Sequence, residues 1–307
     1  MTVIRKPDDT YRVNVPGGRV VVDSFGSGDE VLLILHGGPG CTCDYVRDSH
    51  SFLADHGYRV VVFDQLGSGR SDKPKDESLW NISRFIEEVE AVRSSLKLGK
   101  VHLLGQSWGT WLGTEYCLAY PEHVKTYVIA NGSGSVPQTI REMNRLRESL
   151  GAETVAMMLR HEAEGTIDHP EYLAAVTILY HRHVCRADPW PLPVKRSLEG
   201  VAMDVYGTMW GPNEFRCIGT LKEWDRLEDM KKITVPCLIL TGQHDELTPA
   251  CAMSMHQSLP HAELRIFRNS SHMPFWEEPT EYFQVLMKFL DRHRSRRAKT
   301  GGAKRRR

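Results

Sequence analysis

Three side chains in a fixed chain order carry the strongest chemical signal in this sequence. Ser107 sits at the centre of Gly105-Gln-Ser-Trp-Gly109, which follows an apolar run and opens a helical one. The glycines permit a tight turn that lifts the serine hydroxyl clear of the backbone. The helix start beyond it offers unpaired N–H groups and the positive end of a dipole. A serine hydroxyl is a weak nucleophile and needs a base, itself oriented by an acid. Asp245 in Gly242-Gln-His-Asp-Glu-Leu-Thr-Pro249 and His272 in Asn269-Ser-Ser-His-Met-Pro274 supply both, in the order serine, acid, histidine. Each follows a strand-like run, where open parallel sheets place their sites. Alone, Asp245 is a turn former and His272 is one of 14 histidines. In order, behind the serine turn, they read as a catalytic triad.

Acyl transfer also requires hydrogen-bond donors where the oxyanion develops. The Trp108 N–H, next after the nucleophile, is one candidate. The loop His36-Gly-Gly-Pro-Gly40 supplies the other, with Gly38 N–H expected and Gly37 as the alternative. No Lys-Ser/Thr pair follows these glycines, which excludes a P-loop. His181-Arg-His183 invites a metal reading, but residues two apart on a helix face different ways and cannot chelate together. No metal and no cofactor is expected.

These residues need a frame, and the hydrophobic pattern provides one. Strands are read at 19–25 (RVVVDSF), 31–36 (VLLILH), 58–64 (YRVVVFD), 101–105 (VHLLG), 126–130 (TYVIA), 236–241 (PCLILT) and 263–267 (ELRIF). Residues 26–29 form a turn between the first two. Helices are read at 81–98, 108–120 and 279–292. Near-continuous apolar strands alternating with helices indicate an α/β fold with a mostly parallel sheet covered on both faces. From 137 to roughly 196 the pattern turns helical or irregular, with Pro170, Pro189, Pro191 and Pro193. One sheet domain interrupted by a helical cap insertion of about 80 residues accounts for this, and such insertions often form lids. The organisation expected is core at 1–133, cap at 134–215, core again at 216–292 and a disordered basic tail at 293–307. Met157, Met158 and Leu159 read as core. Tyr206 and Trp210 read equally as pocket lining or core. Asp64, Gln65, Arg70 and Ser71 read as residues that order the loop beside the site.

Charge divides the 307-residue chain in two. It carries 39 basic and 39 acidic residues. Residues 292–307 hold nine Lys or Arg and no acid, so the body has 30 basic against 39 acidic residues. The tail, lacking aromatics, reads as solvated, and nucleic acid is expected to have at most a weak role there. The N-terminal residues contain no secretory h-region, no run approaches a membrane span, and the seven cysteines show no Cys-x-x-Cys pair. A cytoplasmic protein with reduced thiols is expected.

His36-Gly-Gly-Pro-Gly40, Asp64-Gln-Leu-Gly-Ser-Gly-Arg-Ser71 and Gly105-Gln-Ser-Trp-Gly-Thr110 resemble the proline iminopeptidase family of α/β-hydrolases. Met209-Trp-Gly-Pro-Asn-Glu-Phe215, Trp224-Asp225 and Gly242-Gln-His-Asp-Glu-Leu-Thr-Pro249 are most similar to the tricorn-interacting aminopeptidase and related L-amino acid amidases. The resemblance spans roughly residues 18–292. It implies an α/β-hydrolase core with a helical cap, no metal, and release of an N-terminal residue, proline or another apolar one, from short peptides or amino acid amides through an acyl-enzyme. It also points to Glu214 and Glu246 as the carboxylates that hold the substrate's free α-amine. The physics agrees, because an α-amine titrates at about 7.7–8.0 and is largely cationic at neutral pH. The cap at 137–196 does not match a proline-selecting pattern, so the resemblance conveys the mechanism better than the substrate. Two rivals stand beside it: a cap-bearing esterase or lactonase acting on neutral substrates, and a non-hydrolytic or binding protein of the same fold.

Overall fold

β-Branched and aliphatic runs become the strands of one sheet, and its most central members are buried at every position. In the computed structural model, which describes residues 5–259 and 261–295, the strands are β1 (Asp9–Val15), β2 (Gly18–Phe25), β3 (Glu30–Leu35), β4 (Tyr58–Asp64), β5 (Val101–Gln106), β6 (Val124–Ala130), β7 (Cys237–Gly242) and β8 (Ala262–Phe267). Their order across the sheet is β1-β2-β4-β3-β5-β6-β7-β8. β1 pairs antiparallel with β2 and β2 with β4; every other pairing is parallel. All six residues of β3, β5 and β7 are buried. Successive strand residues point to opposite faces, so full burial requires helices on both.

The helices are α1 (Asp44–His50), α2 (Ile82–Ser95), α3 (Trp108–Ala119), α4 (Val136–Glu148), α5 (Ala152–Glu164), α6 (Pro170–Leu179), α7 (Leu192–Glu199), α8 (Met203–Met209), α9 (Pro249–Ser258), α10 (Pro274–Glu277) and α11 (Pro279–Arg292). Five of these, α4 to α8, lie between β6 and β7, along with a π-helical turn at Tyr180–Val184 that extends α6. α2 begins at the Asn81 cap, whose side chain accepts from Arg84 N–H at 3.0 Å. α4 begins at Ser135, capping Gln138 N–H at 3.3 Å, with Pro137 in its first turn. None of the helices among the described residues is long and apolar enough to cross a membrane.

The turn at 26–29 links β2 to β3 as read, and β4 lies between those two strands in the sheet. Two readings of the pattern are corrected. Leu159 is 53% exposed, whereas Met158 is fully buried. Adjacent residues on a helix are separated by a wide angle, and the one-sided packing of α5 buries only one of them. Residues 293–295, assigned to the disordered tail, are held by the body. Arg294 Nε donates to Tyr58 Oη at 3.0 Å, and Ser295 N–H donates to Glu30 Oε1 at 2.6 Å. Composition alone did not show that these polar groups find partners where β3 and β4 begin. Residues 296–307, the rest of that tail, lie outside the described residues.

Candidate active site

The serine turn is built by close backbone approach. Ser107 caps α3 with φ 57° and ψ −125°, in the left-handed region that non-glycine residues seldom occupy. A Cβ at Gly105 would stand 2.2 Å from Gly109 O, and one at Gly109 would stand 2.2 Å from Leu35 O. Both glycines are therefore required by space: the first lets the turn close, and the second lets α3 pack on β3. Ser107 N–H donates to Ala130 O and Asn131 O at 3.1 and 3.2 Å, which ties the turn to the end of β6. The side chain faces a narrow cavity, also lined by Gly38, Glu214 and His272.

Asp245 and His272 come together from the loops after β7 and β8. His272 Nδ1–H donates to Asp245 Oδ1 at 2.7 Å. Asp245 also accepts from Asn131 Nδ2 at 2.6 Å, Thr241 Oγ1 at 3.1 Å and Leu247 N–H at 2.9 Å. Four donors on one buried carboxylate fix its orientation. Asn131 adopts φ 54° and also donates to Ser271 O at 3.3 Å, so it spans the acid and base loops. Among the described residues no hydrogen bond joins Ser107 Oγ to the His272 ring. His272 Nε2 lies instead 3.6 Å from Glu246 Oε1. Catalytic contacts are commonly loose before substrate arrives.

Three interlocked side chains hold the glycine loop against the serine turn. Gln65 N–H donates to His36 Nε2 at 3.0 Å, which leaves the ring proton on Nδ1, donating to Gly37 O at 2.8 Å. Gln65 Nε2 donates to His36 O at 3.1 Å, and Gln65 Oε1 accepts from Trp108 Nε1 at 2.9 Å. Burial holds the His36 ring below the usual imidazole range, consistent with this neutral tautomer. Tyr45 Oη accepts from Gly37 N–H at 2.7 Å and donates to Gln106 Oε1. Gly37 N–H is thus already engaged. Among the described residues, Gly38 and Trp108 N–H donate to no protein acceptor. Asp64 accepts from Cys43 N–H at 2.9 Å and from Arg70 Nε at 2.9 Å, and so clamps the neighbouring loop.

Glu214 lines the cavity, and Glu246 lies beside it against the His272 ring. Glu214 follows α8 and borders the cavity, while Glu246 is 1% exposed and its Oε2 has no partner among the described residues. Burial raises the affinity of both for a proton; repulsion from Glu214 and Asp245 pushes Glu246 further, well above the carboxylate range. Burial disfavours the charged His272 ring, yet Asp245, Glu246 and Glu214 outweigh it and lift His272 to about 9. Carboxylates held back from ionising in this way gain most when a cation is brought beside them. Tyr206 and Trp210 are both buried; the Tyr206 hydroxyl neighbours Glu214, and Trp210 Nε1 donates to Glu214 O at 3.1 Å.

His181 and His183 diverge: the first packs on Trp190 with ring centroids 4.9 Å apart, and the second donates to His244 O. His161, His169 and Glu171, between β6 and β7, have potential ligand atoms within 4.8 Å of one another. Glu171 Oε1 there already accepts from His161 Nε2 at 2.7 Å and Arg160 at 2.8 Å, an ion-pair cluster outside the cavity lining. The sequence pattern did not single out Tyr45, Asn131 or Tyr180. An asparagine ending the strand at β6 was the only signal, since Asn tolerates the left-handed region.

Comparison with known proteins follows this geometry. Residues 30–279 match the family described as alpha/beta hydrolase fold. The chain is 42% identical over 262 residues to a proline iminopeptidase of Saccharolobus solfataricus, covering 85% of this chain and 84% of that one. Its structure resembles the crystal structure of proline iminopeptidase from Mycobacterium smegmatis, with a TM-score of 0.85, 34% identity, and coverage of 93% of this chain and 98% of the other. It also resembles the crystal structure of VinJ, with a TM-score of 0.90, 35% identity, and coverage of 94% and 100%.

Proposed function

Because this chain belongs to the proline iminopeptidase family of α/β-hydrolases, we propose that it is a serine aminopeptidase. It releases an N-terminal residue, proline or another apolar one, from short peptides or amino acid amides. The observation that carries this reading is a serine–histidine–aspartate set beside a cavity that Glu214 lines, with buried Glu246 against the same histidine.

The steps follow from that placement. The substrate's ammonium docks against Glu214 and Glu246, which gain the cation they lack. An internal peptide bond brings no such amine, so cutting is confined to the chain end. His272 takes the Ser107 proton as Oγ attacks the first carbonyl carbon. Gly38 and Trp108 N–H groups, free of other acceptors, hydrogen-bond the oxyanion. Asp245 holds the ring by its Nδ1–H, which leaves Nε2 to act on the serine once substrate is bound, and stabilises the imidazolium. His272 then protonates the leaving amine, the C–N bond breaks, and an ester to Ser107 remains. Water, deprotonated by His272, attacks that ester and frees the amino acid. No step calls on a metal or cofactor. Val184, Val194 and Leu198, from the segment at 134–215 that we assign as the cap, line the cavity beside Ser107 and set the size of the residue accepted. We place the enzyme in the cytoplasm, a setting compatible with seven unpaired cysteines.

One panel tests the reading. Proline, alanine, leucine and phenylalanine p-nitroanilides and amides are compared with N-acetylated versions and neutral esters. Hydrolysis of the free amines far ahead of the blocked compounds is expected; equal rates would exclude an amine-anchored aminopeptidase and favour the neutral-ester reading.

A further inference from the structure

Three loops must keep their relation for the proposed chemistry to work: those bearing Glu214, Asp245 with Glu246, and His272. All three are hydrogen-bonded to one short piece of the segment between β6 and β7. α6 does not end in an ordinary last turn. It widens into the π-helical turn Tyr180–Val184, closed by Cys185 N–H donating to Tyr180 O at 3.0 Å. Such turns are rare and are frequently found at functional sites. Carbonyls at a helix end lack intrahelical partners and must find donors elsewhere. Here His183 O accepts from the backbone N–H of His272 at 3.2 Å.

The His183 ring reaches the second loop. Its Nδ1 lies 2.8 Å from His244 O, and since a carbonyl only accepts, Nδ1 carries the proton. The accepting carbonyl belongs to the peptide unit that carries the Asp245 nitrogen, so the bond fixes the plane from which Asp245 springs. The other ring nitrogen, Nε2, is buried and without a partner among the described residues. Burial accordingly lowers the ring's affinity for a second proton. The third loop is held three residues earlier, where Tyr180 Oη accepts from Glu214 N–H at 3.2 Å. A little further on, Arg186 N–H donates to Glu277 Oε1 at 2.5 Å, and the same carboxylate takes Ser271 N–H and Oγ–H, both at 2.7 Å. Val184 meanwhile lines the cavity itself.

We infer that His183 is a positioning residue for the reaction: one side chain and its own carbonyl lock the acid loop and the base loop to the π-helical turn. The assignment rests on the Ser107–Asp245–His272 mechanism proposed above. A consequence is that this turn cannot shift without moving the base. The lining of the acyl pocket and the triad are therefore mechanically joined.

His183→Ala removes the ring donor and leaves the main-chain bond. His183→Asn restores an N–H near the position of Nδ1. Each is compared with the wild-type protein in kcat and KM on proline p-nitroanilide, in the rate of Ser107 labelling by phenylmethylsulfonyl fluoride, and in thermal midpoint. Loss of alignment at the reacting atoms costs rate, so His183→Ala is expected to lower kcat and the labelling rate together by about 10- to 100-fold. KM should change less than kcat, because Glu214, one of the two amine anchors, stays held through Tyr180. His183→Asn should recover most of the loss. The inference is overturned if alanine matches wild type, if asparagine is as impaired as alanine, or if the loss lies in KM alone. It is also overturned if the loss follows the fall in thermal midpoint. The labelling arm needs no amine in the probe. If the wild-type protein were labelled yet hydrolysed no amine substrate, the aminopeptidase reading would fail while the role of His183 was still measured.

Discussion

Replacing Glu246 by Gln separates two effects that the wild-type site superimposes. Glu246 Oε1 lies 3.6 Å from His272 Nε2. At an effective dielectric constant near 20, two unit charges at that separation attract by about 4–5 kcal/mol. Glu246 itself resists ionisation, because burial and Glu214 push its proton affinity up, so only part of that attraction is realised. The sign is fixed: His272 stands raised to about 9, and losing a neighbouring carboxylate lowers it. His272 must be neutral to act as a base, so activity rises as pH passes through this value. The acid limb of kcat/KM should therefore move to lower pH in Glu246→Gln by about one unit or more, one unit being 1.36 kcal/mol. Amine binding moves the other way. A charge-assisted hydrogen bond contributes about 1.5–3 kcal/mol, so KM for proline p-nitroanilide should rise by about 10- to 100-fold. The assay is a pH–rate profile from pH 5 to 10 (about the range that spans both limbs) on this substrate and on a neutral p-nitrophenyl ester. The ester should show the shifted limb without the KM penalty. An unmoved acid limb, or an unchanged KM for the amine substrate, would refute the electrostatic reasoning.

Other substitutions probe other parts of the site. Ser107→Ala should reduce hydrolysis by at least about 10⁴-fold while leaving the thermal midpoint near wild type, and residual turnover above that would exclude Ser107 as nucleophile. Asp245→Asn should lower kcat by about 10⁴-fold, as the ring loses the partner that sets its tautomer; a loss under tenfold would argue for another acid. Tyr45→Phe removes the acceptor of Gly37 N–H, and a buried unpaired donor costs about 1–3 kcal/mol, so a lower urea midpoint and a reduced kcat are expected together. Gly109→Ala forces a Cβ to within 2.2 Å of Leu35 O and should destabilise by about 3 kcal/mol or more; normal stability would show that α3 does not pack on β3 as described.

The reach of sequence reasoning here follows the locality of each signal. The strands at 58–64 and 101–105 and the helix at 279–292 were legible because burial on a sheet, or on one side of a helix, imposes a period on neighbouring residues. β1 was not read, because its pattern alternates at an edge and is mostly exposed. α1 and α9 were missed for the opposite reason: their short spans mix buried polar and apolar residues with no clean stripe. Leu159 was misassigned because apolar character states what a residue tolerates, while the side of α5 that meets the core depends on packing partners distant in sequence.

The site divides along the same line. Ser107, Asp245 and His272 could be named from the chain alone, since each lies in a turn directly after a strand and the turn's own glycines and order carry the chemistry. The choice between Gly37 and Gly38 could not, because it depends on Tyr45 reaching back to occupy one N–H. The same holds for the closeness of Glu246 to the base, and for the hold of His183 on two loops that lie 61 and 89 residues further along the chain. Spacing within a turn is a local property and survives in the sequence. Distances between loops brought together by the sheet are set only when the whole core has closed, and tertiary structure alone decides them.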